Sequence, residues 1–130
     1  MLIYGHRFIP SNSFYHVLDI ESISNTPPSC VIHIEFSEEN LDIISHANLN
    51  QITTSICVKN ITEIIYASSL EASFIVVHNE LAVEAQKIAN EYLFDAKILV
   101  LVENESEIEK FALLGIDGVI FPNAIIHTNS

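Results

Sequence analysis

The sequence predicts an α/β fold: a mostly parallel sheet of five or six strands with helices on both faces. Two observations lead there. From Cys30 onward, short, β-branched and nearly continuous apolar bursts recur, as expected of parallel strands covered on both faces. Between them lie helical patterns joined by short turns, and such alternation builds βαβ units.

Residues 1–29 read differently, as an irregular N-terminal arm with one short strand at Leu2–Tyr4. Pro10, Ser11, Asn12 and Ser13, then Ser24, Asn25, Thr26, Pro27, Pro28 and Ser29, interrupt any sustained period. Residues 30–130 form the domain proper. Its strands are expected at Cys30–Phe36, Ser55–Val58, Phe74–Val77, Ile98–Val102 and Gly118–Phe121. The clearest helix carries Leu81, Ala85, Ile88, Ala89 and Tyr92 on one stripe.

The strand-to-helix junctions repeat. Asn60, Asn79 and Asn104 each follow a strand, and Asn60 and Asn104 precede Glu63 and Glu107 by three residues. An asparagine there can accept from a free amide of the first turn while the glutamate reaches back. The first junction offers Ser37 with Glu38 and Glu39 behind it, which suits the helix dipole. At the end of the chain, Gly115 is expected to cap a helix in the left-handed conformation and Gly118 to allow tight strand entry. Val119–Phe121 then form the last strand, Pro122 stops it and Asn123 caps the closing turn.

Composition excludes several functions. Seventeen acidic residues against five basic ones give a formal charge of −12, and Arg7, Lys59, Lys87, Lys97 and Lys110 are scattered. No phosphate-neutralising patch forms from them, which argues against nucleic acid and against an anionic membrane surface. No apolar run approaches the roughly 20 residues of a membrane span, so no direct membrane insertion is expected. No signal peptide is visible, and Cys30 and Cys57 fit reduced core residues of a cytoplasmic protein.

In a parallel sheet, ligands bind outside the carboxyl ends of the strands. That edge presents Glu35, Lys59, His78 and Glu103, with Asn60, Asn79 and Asn104 beside them. They make a modest polar ligand site, or they are solvated turn residues. Glu35 and Glu103 are the pair available as acid and base. His6, His16, His33, His46, His78 and His127 are dispersed without HxxxH, HExxH or Cys/His spacing, so no metal site is expected. No nucleophile elbow or catalytic-cysteine signature occurs, and no catalytic residue is assigned. Gly5, Gly115 and Gly118 are the only glycines, and no pyrophosphate-cradling GxGxxG or P-loop can be built from them.

Three segments in order resemble a known family: "CVIHIEFSEENLDII", "ICVKNITEIIYASSLEASFIVVHNELAVEAQKIANEYL" and "AKILVLVENESEIEKFALLGIDGVIFPNAII". Together they resemble the TrkA-N or RCK domain, the Rossmann-like three-layer domain that regulates conductance of bacterial potassium channels and transporters. The closest correspondence is Leu114, Gly115, Ile116, Asp117, Val119 and Pro122, followed by Ala124–Ile126 as a short apolar helix. The resemblance implies a non-catalytic cytosolic regulatory or ligand-sensing domain. It further implies a homodimer or larger gating ring, acting on a membrane pore domain that is fused or separate. Family members bind NAD(H) or an adenine nucleotide through a Gly-rich turn and an acidic residue ending the second strand. Glu35 takes the acidic place, but only Gly5 stands near the turn's place, which marks a degenerate version without usual dinucleotide binding. If residues 1–29 fill that place, His6 and Arg7 lie near the strand ends.

A second resemblance competes. "ENESEIEKFALLGIDGVIF" is similar to the last strand-helix-strand of glycerophosphodiester phosphodiesterases and other TIM barrels. It implies an enzyme, or a fragment of one, using carboxylates at the strand ends. A complete barrel needs eight βα units and typically some 200 or more residues. Five strands cannot close one, so this reading ranks second.

Overall fold

The computed structural model describes residues 1–128. Its strands are β1 (Leu2–Tyr4), β2 (Phe14–His16), β3 (Val31–Glu35), β4 (Thr54–Cys57), β5 (Phe74–Val77), β6 (Lys97–Leu101), β7 (Gly118–Ile120) and β8 (Ile125–His127). The helices are α1 (Ile20–Ile23), α2 (Leu41–Leu49), α3 (Ile61–Ser69), α4 (Ala82–Glu91) and α5 (Ser106–Leu113). The α/β class and the parallel sheet are as the sequence predicts. The sheet, however, has eight strands rather than five or six, in the order β1-β7-β6-β5-β4-β3-β2-β8, and every pairing is parallel.

The additional strands come from the ends of the domain. Residues 1–29, expected as an arm, supply β1, β2 and α1, with β1 pairing β7 and β2 lying between β3 and β8. Ala124–Ile126, a short helix by the resemblance, instead leaves a 3-10 turn at Pro122–Ala124 and enters β8. The Leu2–Tyr4 strand is as expected, whereas β2 and β8, three residues each, leave no periodic signature long enough to read.

From β2 to β7 the strands are laid down in one direction without reversal. Right-handed crossovers then place every intervening helix on the same face. Side chains alternate along each strand, and the two faces bury differently. Ile32, Ile34, Ile56, Val58, Ile75, Val77, Ile98 and Val100 point outward and share one core with Ile44, Ala47, Ile64, Ala67, Ala85, Ala89 and Phe111 of the helices. On the other face Phe14, Val31, Cys57, Val76, Leu99 and Ile120, from six consecutive strands of the sheet, pack on one another with Tyr4 and Phe74. The continuous apolar bursts thus record cover by helices on one side and by the sheet itself on the other.

That second core requires a curled sheet. β1 and β2 stand six places apart in the strand order, a separation of about 29 Å in a flat sheet at ~4.8 Å per strand. Yet the Tyr4 and Phe14 rings lie 5.0 Å apart, and Phe74 stands 5.6 Å from Tyr4 and 5.3 Å from Phe14. Beside them Asn123 Nδ2 donates to the Gly5 carbonyl at 2.9 Å, tying the end of β1 to the entry of β8. The sheet is barrel-like, with its helices outside. Gly118 belongs to this interior, because a Cβ there would come within 2.7 Å of both Leu2 and Leu99.

The helix ends repeat one device. Gln51, Glu71, Leu93 and Gly115 all take positive φ just past α2, α3, α4 and α5. The next amide in each case bonds back to the helix, Ile52 to Ala47, Ala72 to Ala67, Phe94 to Ala89 and Ile116 to Phe111. This is the Schellman closure. Only Gly115 matches its conformation with glycine, as expected.

At the helix starts, Asn60 Oδ1 accepts from the Glu63 amide at 2.9 Å, as the sequence predicts. Ser37 accepts from the Glu39 amide at 3.2 Å. Asn79 is not a cap, because it sits inside a 3-10 turn and its Oδ1 accepts from Lys110 Nζ at 3.3 Å. At α5 the glutamate does the capping: Glu107 Oε2 accepts from the amides of Glu103 and Asn104. The α4 stripe holds except at Tyr92, which falls beyond the last turn and is exposed. No helix among the described residues is long and apolar enough to cross a membrane.

Candidate functional site

Four strands change character on their inner face as they approach their carboxyl ends. Phe14 is followed two places on by His16, Val31 by His33 and then Glu35, Val76 by His78, and Ile125 by His127. Curling gathers these ends into a mouth. There a cavity of about 230 Å³ is lined by His16, His33, Glu35, Cys57, His78 and His127 over a floor that includes Val76, Leu101 and Ile125.

Register explains the gathering. His127, His16 and His33 are Cα partners across β8, β2 and β3, and Ser55 continues the row on β4. Neighbours in such a row are held about 4.8 Å apart by the ladder. Nδ1 of His16 lies 3.1 Å from Nδ1 of His127, and Nδ1 of His33 lies 2.9 Å from Ser55 Oγ. Glu35 and Cys57 are partners in the next row. The nitrogen, oxygen and sulfur ligand atoms of His33, Glu35 and Cys57 all lie within 4.8 Å of one another.

Burial sets the protonation of this mouth. His33 is pushed down to about 4, first by burial and then by the charges His16 and His127 carry when protonated. His16 is lowered too, by burial and by His127, while Glu35 pulls the other way. The Cys57 thiol is pushed up to about 12 by burial, by the negative charge of Glu35 and by its hydrogen bond to that carboxylate. Near neutral pH His33 is therefore a neutral imidazole and Cys57 a protonated thiol, with Glu35 exposed at the rim.

The residues expected to bind a ligand divide among three places. Glu35 and His78 line the mouth. Lys59 shares with His78 an adjoining groove of about 290 Å³. Glu103 lines a separate rim cavity of about 510 Å³ with Gly5, His6, Arg7 and Glu105. Glu35 and Glu103 thus do not share a cavity, because β3 and β6 lie three places apart around the curl. Asn60 is occupied as a cap and Asn79 by Lys110. His6 and Arg7 do reach the strand ends: both bond to Glu105, His6 Nε2 at 2.7 Å, and that contact lowers the Glu105 carboxyl.

His16, His33, Cys57 and His127 are the residues that linear motifs miss, and the fold brings ligand atoms of His33 and Cys57 together with Glu35 although no metal-ligand spacing links them along the chain. Parallel neighbours are brought together by register across loops and helices, so no fixed spacing along the chain reports them. A signal exists nonetheless. The pattern of an apolar residue, any residue, then histidine occurs at Phe14–His16, Val31–His33, Val76–His78 and Ile125–His127, but also at Ile44–His46 on α2 and Tyr4–His6, so it points to the mouth only once the strands are known.

Comparison with protein-family models finds no matching family, and comparison with curated proteins finds no matching relative.

Proposed function

We propose that this protein is a small barrel-type enzyme whose active site is the carboxyl mouth, and that it hydrolyses a small ester, a phosphodiester being the favoured substrate class. One observation carries the reading: titratable side chains from four strands converge in one cavity at the carboxyl end, with an apolar floor beneath them. That is where barrel enzymes keep their chemistry. Imidazole and carboxylate side chains gathered in one cavity are the groups that general acid–base catalysis uses. The cavity, about 230 Å³, has room for the reacting end of a small molecule only, and a formal charge of −12 disfavours a polyanionic polymer. The phosphodiester class is supported by the resemblance of residues 103–121 to phosphodiesterases. Turnover of bis(p-nitrophenyl) phosphate and p-nitrophenyl acetate tests the reading. The diester is expected to be cleaved, with a loss of at least tenfold in Glu35→Gln. No turnover of either ester by the folded protein would overturn it.

The competing proposal is the RCK-type regulatory domain for potassium transport, self-associating and beside a membrane pore. It is favoured by Leu49, Tyr92, Leu93, Leu113 and Leu114, which stand exposed where α2, α4 and α5 end. Such a rim suits contact between copies. Sedimentation distinguishes the two readings: a strict monomer from micromolar to millimolar concentration speaks against the gating ring. A nucleotide bound as in that family should raise the melting temperature.

A further inference from the structure

We propose that His33, Glu35 and Cys57 form a binding site for a single divalent transition-metal ion of the zinc class. The site rests on the same mouth as the proposed hydrolytic reading, and it supplies that mouth with an electrophile.

Three features of the interior carry the inference. The ligand atoms already lie within 4.8 Å of one another. A tetrahedral ion with ligands at ~2.0–2.3 Å sets them roughly 3.3–3.6 Å apart, so closure takes about an ångström of side-chain adjustment. The backbone is fixed where the ligands start, because Glu35 and Cys57 are Cα partners on paired strands and His33 precedes Glu35 by two residues on the same face. Finally, Ser55 Oγ holds His33 Nδ1 at 2.9 Å. A ligating histidine is commonly oriented through its second nitrogen in this way, leaving Nε2 for the ion.

Donor chemistry selects the metal. One imidazole, one carboxylate and one sulfur suit zinc or cobalt and exclude magnesium and calcium, which take oxygen ligands. Three protein ligands leave a fourth position, the arrangement of catalytic rather than structural zinc sites. The cavity that contains the three also contains His16 and His127, so a water or substrate atom at that position has imidazoles within the same space. Binding releases the thiol proton to solvent, so affinity rises with pH.

Cobalt(II) titration of chelator-treated protein tests the site without reference to turnover. One equivalent is expected to bind, with a thiolate-to-cobalt charge-transfer band that zinc abolishes by displacement. Cys57→Ser should lose the band, Cys30→Ser should keep it, and Glu35→Gln, at an exposed position, should weaken binding at least tenfold. Circular dichroism establishes that each variant is folded, and Glu35→Gln serves if Cys57→Ser does not fold. No charge-transfer band, a band that disappears with Cys30→Ser, or Glu35→Gln binding with unchanged affinity would each overturn the proposal. Ester turnover without cobalt binding would sink the metal site and leave the hydrolytic reading standing; cobalt binding without turnover would do the reverse.

Discussion

The two halves of the curled sheet's interior are built from the same strands and do opposite things. Toward the amino ends, Phe14, Val31, Phe74, Leu99 and Ile120 fill the space with rings and branched chains. Toward the carboxyl ends, the next inward positions on β2, β3 and β8 are His16, His33 and His127. An apolar plug gains stability from burial, about 1.5–3 kcal/mol for each fully buried large side chain. An imidazole or carboxylate at the mouth gains little and costs desolvation. That contrast is what singles the mouth out as the candidate site.

Substitutions should respond differently in the two halves. Phe14→Ala should cost about 4 kcal/mol, the middle of the range for emptying a buried aromatic site, since Phe14 is fully buried and contacts both Tyr4 and Phe74. Denaturant titration measures it, and a cost under about 1 kcal/mol would mean the interior is not packed as a plug.

The mouth should instead show itself through pH. In metal-free protein the folded-state pKa of His33, about 4, lies below its ordinary value of 6.5. The unfolded chain therefore binds the proton more readily between those values. Stability is full above pH 6.5, falls as pH drops from there through about 4, and is level below. The span corresponds to roughly 3 kcal/mol. His33→Gln should flatten that part of the stability profile; an unchanged slope would contradict the buried neutral imidazole.

Helix closures ring the amino end, and one offers a smaller test. Gly115 has φ of +75° and open space around its missing Cβ. Gly115→Ala should therefore cost only the conformational penalty, about 1–2 kcal/mol. The smallest effect belongs to the mouth: His16→Ala should leave stability within about 1 kcal/mol of the parent, because the side chain is only half-buried there.

The reach of the sequence follows the same division. The middle strands, the Asn60 cap and the Gly115 closure are local devices, and residue type and period reveal them. The strands β2 and β8, unlike the expected Leu2–Tyr4 strand, leave no readable signal: each has three residues, and their assignment depends on pairing with partners more than ten residues away in the chain. Missing them leaves a sheet of five or six strands, and the open-sheet reading follows. The site suffers for the same reason. Glu35 and His78 sit at strands legible in the sequence and were expected at the mouth. His16 and His127 sit on strands that were not, while His33 and Cys57 lay hidden inside strands read as uniform core.

The mouth exists only because the sheet curls, and one measurement addresses the curl directly. In the nuclear Overhauser spectrum of the folded protein, ring protons of Tyr4 and Phe14 should show cross-peaks, since their centroids lie 5.0 Å apart. An open sheet places β1 and β2 about 29 Å apart at ~4.8 Å per strand. Cross-peaks between these rings, and from both to Phe74, are the predicted result. Their absence in assigned spectra would contradict the curled interior and, with it, the mouth.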